Sequence, residues 1–215
     1  MALTGTVFAL YVLVHMIGNL KVYTGAEHFD AYAHWLRTLA EPLLPYEGAL
    51  WIFRVVLLAC LVAHVGASAL IVVRARRARG RVRRTGMGWR RIPATLMPYT
   101  GLVLLVFIVV HILDLTTGTR PVAPAGFVDP TQTSSDAYQN LTESLQRWPM
   151  AVFYLFVMAM LFLHLVHGLW TLANDFGVTG QRTRQVWALV ALVVAGAVAL
   201  GDLSIPIAVL AGWVG

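Results

Sequence analysis

Cysteine is almost missing from this chain of 215 residues: Cys60 is the only one, and it lies inside an apolar run. An internal disulfide and a cysteine-ligated iron–sulfur cluster are both excluded by that count. Charge is scarce too, at 12% of residues, and acidic residues number only ten. A water-soluble domain of this size carries far more charge, and it does not reach 59% hydrophobic residues with a mean hydropathy of +0.72. The net charge of +6 is no nucleic-acid signal, because most of it falls in one short connection.

What is present is a set of apolar runs long enough to cross a bilayer, which needs roughly 20 residues. Five spans are expected, at about 2–22, 48–74, 95–116, 149–174 and 187–212. They make residues 1–215 one all-α integral membrane domain, four of whose helices form a ligand-binding bundle. The first apolar run starts at Ala2 and is too long for a cleaved signal peptide, so the true start is expected to be trimmed or a few residues upstream. The connection from Arg74 to Arg91 holds nine arginines and no acid. Arginine-rich short loops stay cytoplasmic. The N-terminus, the 74–91 loop and the 175–186 loop are therefore expected inside, with the loops at 23–47 and 117–148 outside. Residues 28–40 read as an amphipathic interfacial helix, 119–134 as irregular and 135–147 as a short surface helix. Trp51, Trp148, Trp187 and Trp213 fall near span ends, as an aromatic belt requires.

Two stretches repeat. Thr4-Gly5 precedes His15 and Thr100-Gly101 precedes His111 at the same spacing, with Val7 matching Val103 and Val14 matching Val110, at an offset of 96 residues. An even number of crossings separates the copies, so both run the same way, as in a parallel repeat about the membrane normal.

Histidines carry the chemistry. His15, His64, His111 and His164 each lie inside an apolar span. An imidazole in the bilayer is costly and usually has a task. With a rise of about 1.5 Å per residue, His15 and His111 share an outer level, while His64 and His164 share an inner one. The levels are separated by roughly 10–15 Å. One such histidine is as readily a hydrogen bond between helices. Two pairs at two depths favour bis-histidine haem ligation, giving two b haems stacked across the membrane. His167, one turn beyond His164, remains open as ligand, propionate donor or packing residue. Thr4 and Thr100 share the faces of His15 and His111 but sit near the inner level, where a hydroxyl can bond a propionate or an imidazole. Arg54, near the outer level, is a candidate partner for a propionate or a quinone carbonyl. Gly168, on the face of His164, allows a flat macrocycle close approach, although glycine in membrane helices is usually a packing device. Asp114 is expected to snorkel to the outer interface, with a proton or quinone role as the alternative. His28 and His34 read as interfacial.

The stretches His15-Met-Ile-Gly18-Asn19-Leu20, Ala26–Leu39, Val110-His111-Ile-Leu-Asp114-Leu and His164-Leu-Val-His167-Gly168-Leu169-Trp170 resemble the membrane anchor of succinate dehydrogenases and fumarate reductases. More closely they resemble the single-subunit, five-helix, dihaem cytochrome b anchor of Gram-positive and some other bacteria. The resemblance implies an outer haem on His15 and His111 and an inner haem on His64 and His164. It also selects His164 over His167, because the family ligand lies four residues before Gly-Leu-Trp. It implies a flavoprotein partner with FAD and an iron–sulfur subunit, a bacterial inner membrane, a place in the respiratory chain and the tricarboxylic acid cycle, and menaquinone as acceptor. Whether the complex forms a homo-oligomer is left open. Some fumarate-reducing members carry a glutamate two residues before the span-four histidine, where Phe162 stands here. That departure leans toward succinate oxidation. Quinone candidates are Arg54, Tyr32, His28 and Asp114 for an outer site, and Trp89, Arg90 and Tyr99 for an inner one. Two other readings are a dihaem subunit of a hydrogenase or formate dehydrogenase, and a haem-free transporter whose histidines carry protons or metal.

Overall fold

A computed structural model describes residues 1–79 and 91–215, with side chains given for 1–78 and 95–215. Among the described residues there is no strand. The helices are α1 (Ala2–Asn19), α2 (Ala26–Arg37), α3 (Gly48–Arg79), α4 (Arg91–Leu115), α5 (Ala137–Gln146), α6 (Trp148–Asp175) and α7 (Gln181–Leu210), with a 3-10 turn at Leu20–Thr24. Five of them, α1, α3, α4, α6 and α7, are long and apolar enough to cross a membrane. The all-α membrane fold expected from the apolar runs is the one observed.

The expected boundaries shift at polar ends. α3 runs on to Arg79 and α7 starts at Gln181 rather than at 187. A helix does not stop where its apolar run stops, because arginine and glutamine are good helix formers. Trp187 is therefore inside α7 rather than at its start, and its Nε1 donates to the Leu169 carbonyl at 2.6 Å, pinning α7 to α6.

α6 is the centre of the bundle, packing on α7, α4 and α1. Small residues make this possible: Ala151, Ala191 and Ala195 are each at most 1% exposed at these contacts. α3 is different. Its principal neighbours are α1 and α2, and none of its most apolar 18-residue stretch is buried, against 33% for α6.

The short helices cap one end of the bundle. α2 buries Phe29 and Ala33, one turn apart, and α5 buries Leu145. Phe29 and Leu145 join Val22, Tyr154, Ile205 and Val209 in one apolar cluster. Asp30 Oδ1 accepts from the Tyr138 backbone N–H at 2.8 Å, joining α2 to the start of α5. Gly18 lets α2 close on α1, since a Cβ there would lie 2.6 Å from the Tyr32 hydroxyl and 3.1 Å from its ring. Gly18→Ala is expected to push Tyr32 off α1 and to cost about 1–3 kcal/mol. Thermal unfolding of the detergent-solubilised protein would show it as a lower midpoint.

Candidate functional site

The four intramembrane histidines form two layers. The rings of His15 on α1 and His111 on α4 meet edge to face, with centroids 5.8 Å apart. His64 on α3 and His164 on α6 form the other layer, close enough to interact electrostatically. Each layer draws one ligand-type side chain from each half of the chain.

The repeat read from sequence is visible in the contacts. Thr4 Oγ1 lies 3.0 Å from His64 Nδ1, and Thr100 Oγ1 lies 3.0 Å from His164 Nδ1. Gly5 and Gly101 lie beside the same two rings, where an added Cβ would stand 3.7 Å and 3.4 Å from Cε1. Tyr11 stacks on His15 one turn later, with centroids at 5.4 Å, and Phe107, 96 residues on, tilts over His111 at 5.3 Å. The two halves thus repeat not only a motif but its partners.

Proton placement fixes the tautomers. Thr4 Oγ1 also lies 2.9 Å from the Met1 carbonyl, and Thr100 Oγ1 lies 3.2 Å from Leu96 O and 3.1 Å from Met97 O. Each threonine has one hydroxyl proton, and it goes to the backbone. The oxygen is then an acceptor for Nδ1–H, which leaves the lone pair of the imidazole on Nε2. These threonines therefore serve imidazoles, the second of the two roles expected for them.

His111 is held by a different group. Its Nδ1 lies 3.2 Å from the Tyr154 hydroxyl, which donates to Asp114 Oδ2 at 3.1 Å. Asp114 does not snorkel to the interface: it is fully buried. Ser144 Oγ donates to its Oδ2 at 2.6 Å, and Arg147 Nη2 donates to its Oδ1 at 2.8 Å. The loop and α5 fold over the end of α4 and bring these partners in, so the carboxylate has no need to reach water. Tyr154, Ser144 and Arg147 were not singled out in the sequence. The signal available was a tyrosine in a span otherwise free of hydroxyls near that depth.

The remaining candidates are dispersed. Arg54 pairs with Glu47 at 3.0 Å and covers the Trp51 ring at 4.9 Å. Arg37 pairs with the same carboxylate at 3.2 Å. Tyr32 carries Lys21 Nζ over its ring at 5.2 Å, and both Tyr32 and Arg54 lie within electrostatic range of Tyr11. His28 is exposed on α2 and Tyr99 is exposed on α4. Trp89 and Arg90, with most of the arginine-rich loop, lie outside the described residues. His167 lies near Trp170, with centroids 6.1 Å apart. A Cβ on Gly168 would meet Met97 Cε at 3.6 Å, so that face is covered by a flexible side chain. Phe162 packs in the apolar cluster of Met16, Leu165 and Val198. No acid stands at that position.

No curated protein and no solved structure matches the chain. A family profile does match, over residues 77–201, a range that includes His111 and His164 and begins after His15 and His64. That range is more than half of the 215 residues, and the chain belongs to the succinate dehydrogenase/fumarate reductase transmembrane subunit family.

Proposed function

We propose that this chain is the dihaem cytochrome b anchor of a succinate:quinone oxidoreductase. Two pairs of neutral imidazoles in separate layers of one helix bundle carry that reading. The residues fit the group. Three of the four histidines have Nδ1 engaged by a hydroxyl oxygen, so Nε2 is the atom free to ligate. Among the described residues no three metal-ligating side chains gather. His15 with His111, and His64 with His164, are the residues that would hold a haem, each pair offering two imidazole nitrogens. Haem bound at such a pair supplies one-electron storage.

The chain's own work is to place, insulate and tune. α1 and α4 hold His15 and His111 near the α2 and α5 end, and α3 and α6 hold His64 and His164 toward the arginine-rich end. We read that arginine-rich end as cytoplasmic, in a bacterial inner membrane, and as the docking face for an iron–sulfur subunit that is itself served by a FAD-bearing flavoprotein. With haem bound, the His64–His164 layer would be the one nearer that donor and the His15–His111 layer the one nearer the α2 and α5 end. Quinone, read as menaquinone, would be held near Tyr11, which has Tyr32 and Arg54 within electrostatic range. Succinate oxidation is the favoured direction, because Phe162 offers no proton carrier.

The test is optical. Protein purified with its partner subunits and reduced with dithionite is expected to show a b-type spectrum and two haems per chain. A colourless protein, or one with a single haem, overturns the reading. Thr100→Val leaves the His164 Nδ1–H without its acceptor. It is expected to weaken haem retention at that layer by about 10- to 100-fold, measured as haem transfer to an acceptor protein.

A further inference from the structure

The layer of His64 and His164 is held by threonines whose protons go to neutral backbone carbonyls. The layer of His15 and His111 is held, through Tyr154, by a buried carboxylate. We infer that Tyr154 and Asp114 are positioning residues for His111 and set the reduction potential of the haem bound by His15 and His111. The inference rests on the haem reading above.

The hydrogen-bond directions support it. Tyr154 has one phenolic proton, and Asp114 takes it at 3.1 Å. Tyr154 Oη is then the acceptor for His111 Nδ1–H at 3.2 Å. Asp114 is fully buried, and Tyr154 is 7% exposed. Hydrogen bonds in a chain of low dielectric strengthen one another, so a carboxylate behind the phenol makes the phenol oxygen a stronger acceptor. A stronger acceptor at Nδ1 makes the imidazole a more basic ligand. More basic ligation favours oxidised iron and lowers the potential. Phe107 and Phe153 both pack edge to face on the Tyr154 ring, with centroids at 5.1 Å and 6.3 Å, so its position does not depend on the hydroxyl alone.

The experiment is a redox titration of the purified complex, following both b-type components optically and by electron paramagnetic resonance. Tyr154→Phe keeps the ring and removes the acceptor. One component is expected to shift to higher potential while the other stays unmoved. Thr100→Val is expected to move the other component instead. Ser144→Ala removes a donor from Asp114, makes the carboxylate more basic, and is expected to shift the Tyr154-linked component to lower potential. Two haems with unmoved potentials in Tyr154→Phe overturn the inference. If that variant fails to retain haem, an unmoved or raised potential in Ser144→Ala overturns it. A wild-type protein without haem would instead sink the function reading on which it rests.

Discussion

Replacing His64 by alanine is expected to cost one haem of two and also to loosen α3 from the bundle. Replacing His111 by alanine is expected to cost one haem while leaving the helices packed. Both variants are expected to lose about half the b-type absorbance, since a haem held between the two histidines of a layer would lose one of its two protein ligands. Their difference lies in packing. α4 packs on α6 and α5 through side chains that owe nothing to a cofactor, whereas α3 rests mainly on α1 and α2. Its apolar length is unburied, and Gly66 has nothing within 4 Å of where a Cβ would stand. A cofactor bridging His64 and His164 would tie α3 to α6, so losing it removes that tie. The check is limited proteolysis in detergent beside the haem assay. His64→Ala should become readily cut near the arginine-rich end of α3, and His111→Ala should not. Equal sensitivity in the two would mean that α3 is anchored by its neighbours alone.

How much of this was legible from the sequence varies with the kind of interaction. The spans were, because apolar length is a local property that the bilayer enforces. The Thr4-Gly5 and Thr100-Gly101 repeat is visible too, and the two hydroxyls meet His64 and His164 at 3.0 Å. The sequence does not separate propionate from imidazole as the group each hydroxyl meets, because rotation about the helix axis decides it. The fate of Asp114 was misread. It stands one residue from the end of α4, where a lone acid ordinarily reaches water. Only the return of the chain through residues 116–136 and α5 brings Ser144 and Arg147 over it. That is a contact across 30 residues or more, most of them irregular chain, with no periodic trace. A second relation is hidden for a different reason. His64 and His164 are 100 residues apart, and at that offset Glu47 corresponds to Arg147 and Arg54 to Tyr154. One correspondence reverses the charge and the other trades a cation for a phenol, so identity matching misses them. In one half Arg54 pairs with Glu47; in the other Arg147 pairs with Asp114.

Arg147→Met is expected to be the most damaging change away from the histidines. Asp114 is fully buried, while the Arg147 side chain is one-third exposed at 33%. Removing the cation leaves a carboxylate enclosed with only Ser144 and Tyr154 as donors. Breaking a buried pair from one side costs about 3–5 kcal/mol, and the partial exposure of Arg147 puts the expected loss near the low end, at about 3 kcal/mol. The guanidinium also donates to the Val122 carbonyl at 2.7 Å and to Ser144 Oγ at 3.0 Å, so the loop that covers α4 loses its tether with the charge. Arg147→Met combined with Asp114→Asn removes the stranded charge along with its partner. It is expected to recover most of the loss, because an amide can still bond Ser144 and Tyr154. Thermal unfolding in detergent for the two single variants and the double variant forms a cycle that reads the coupling directly. A double variant no more stable than Arg147→Met would show that the cost lies in the tether to Val122 rather than in the buried carboxylate.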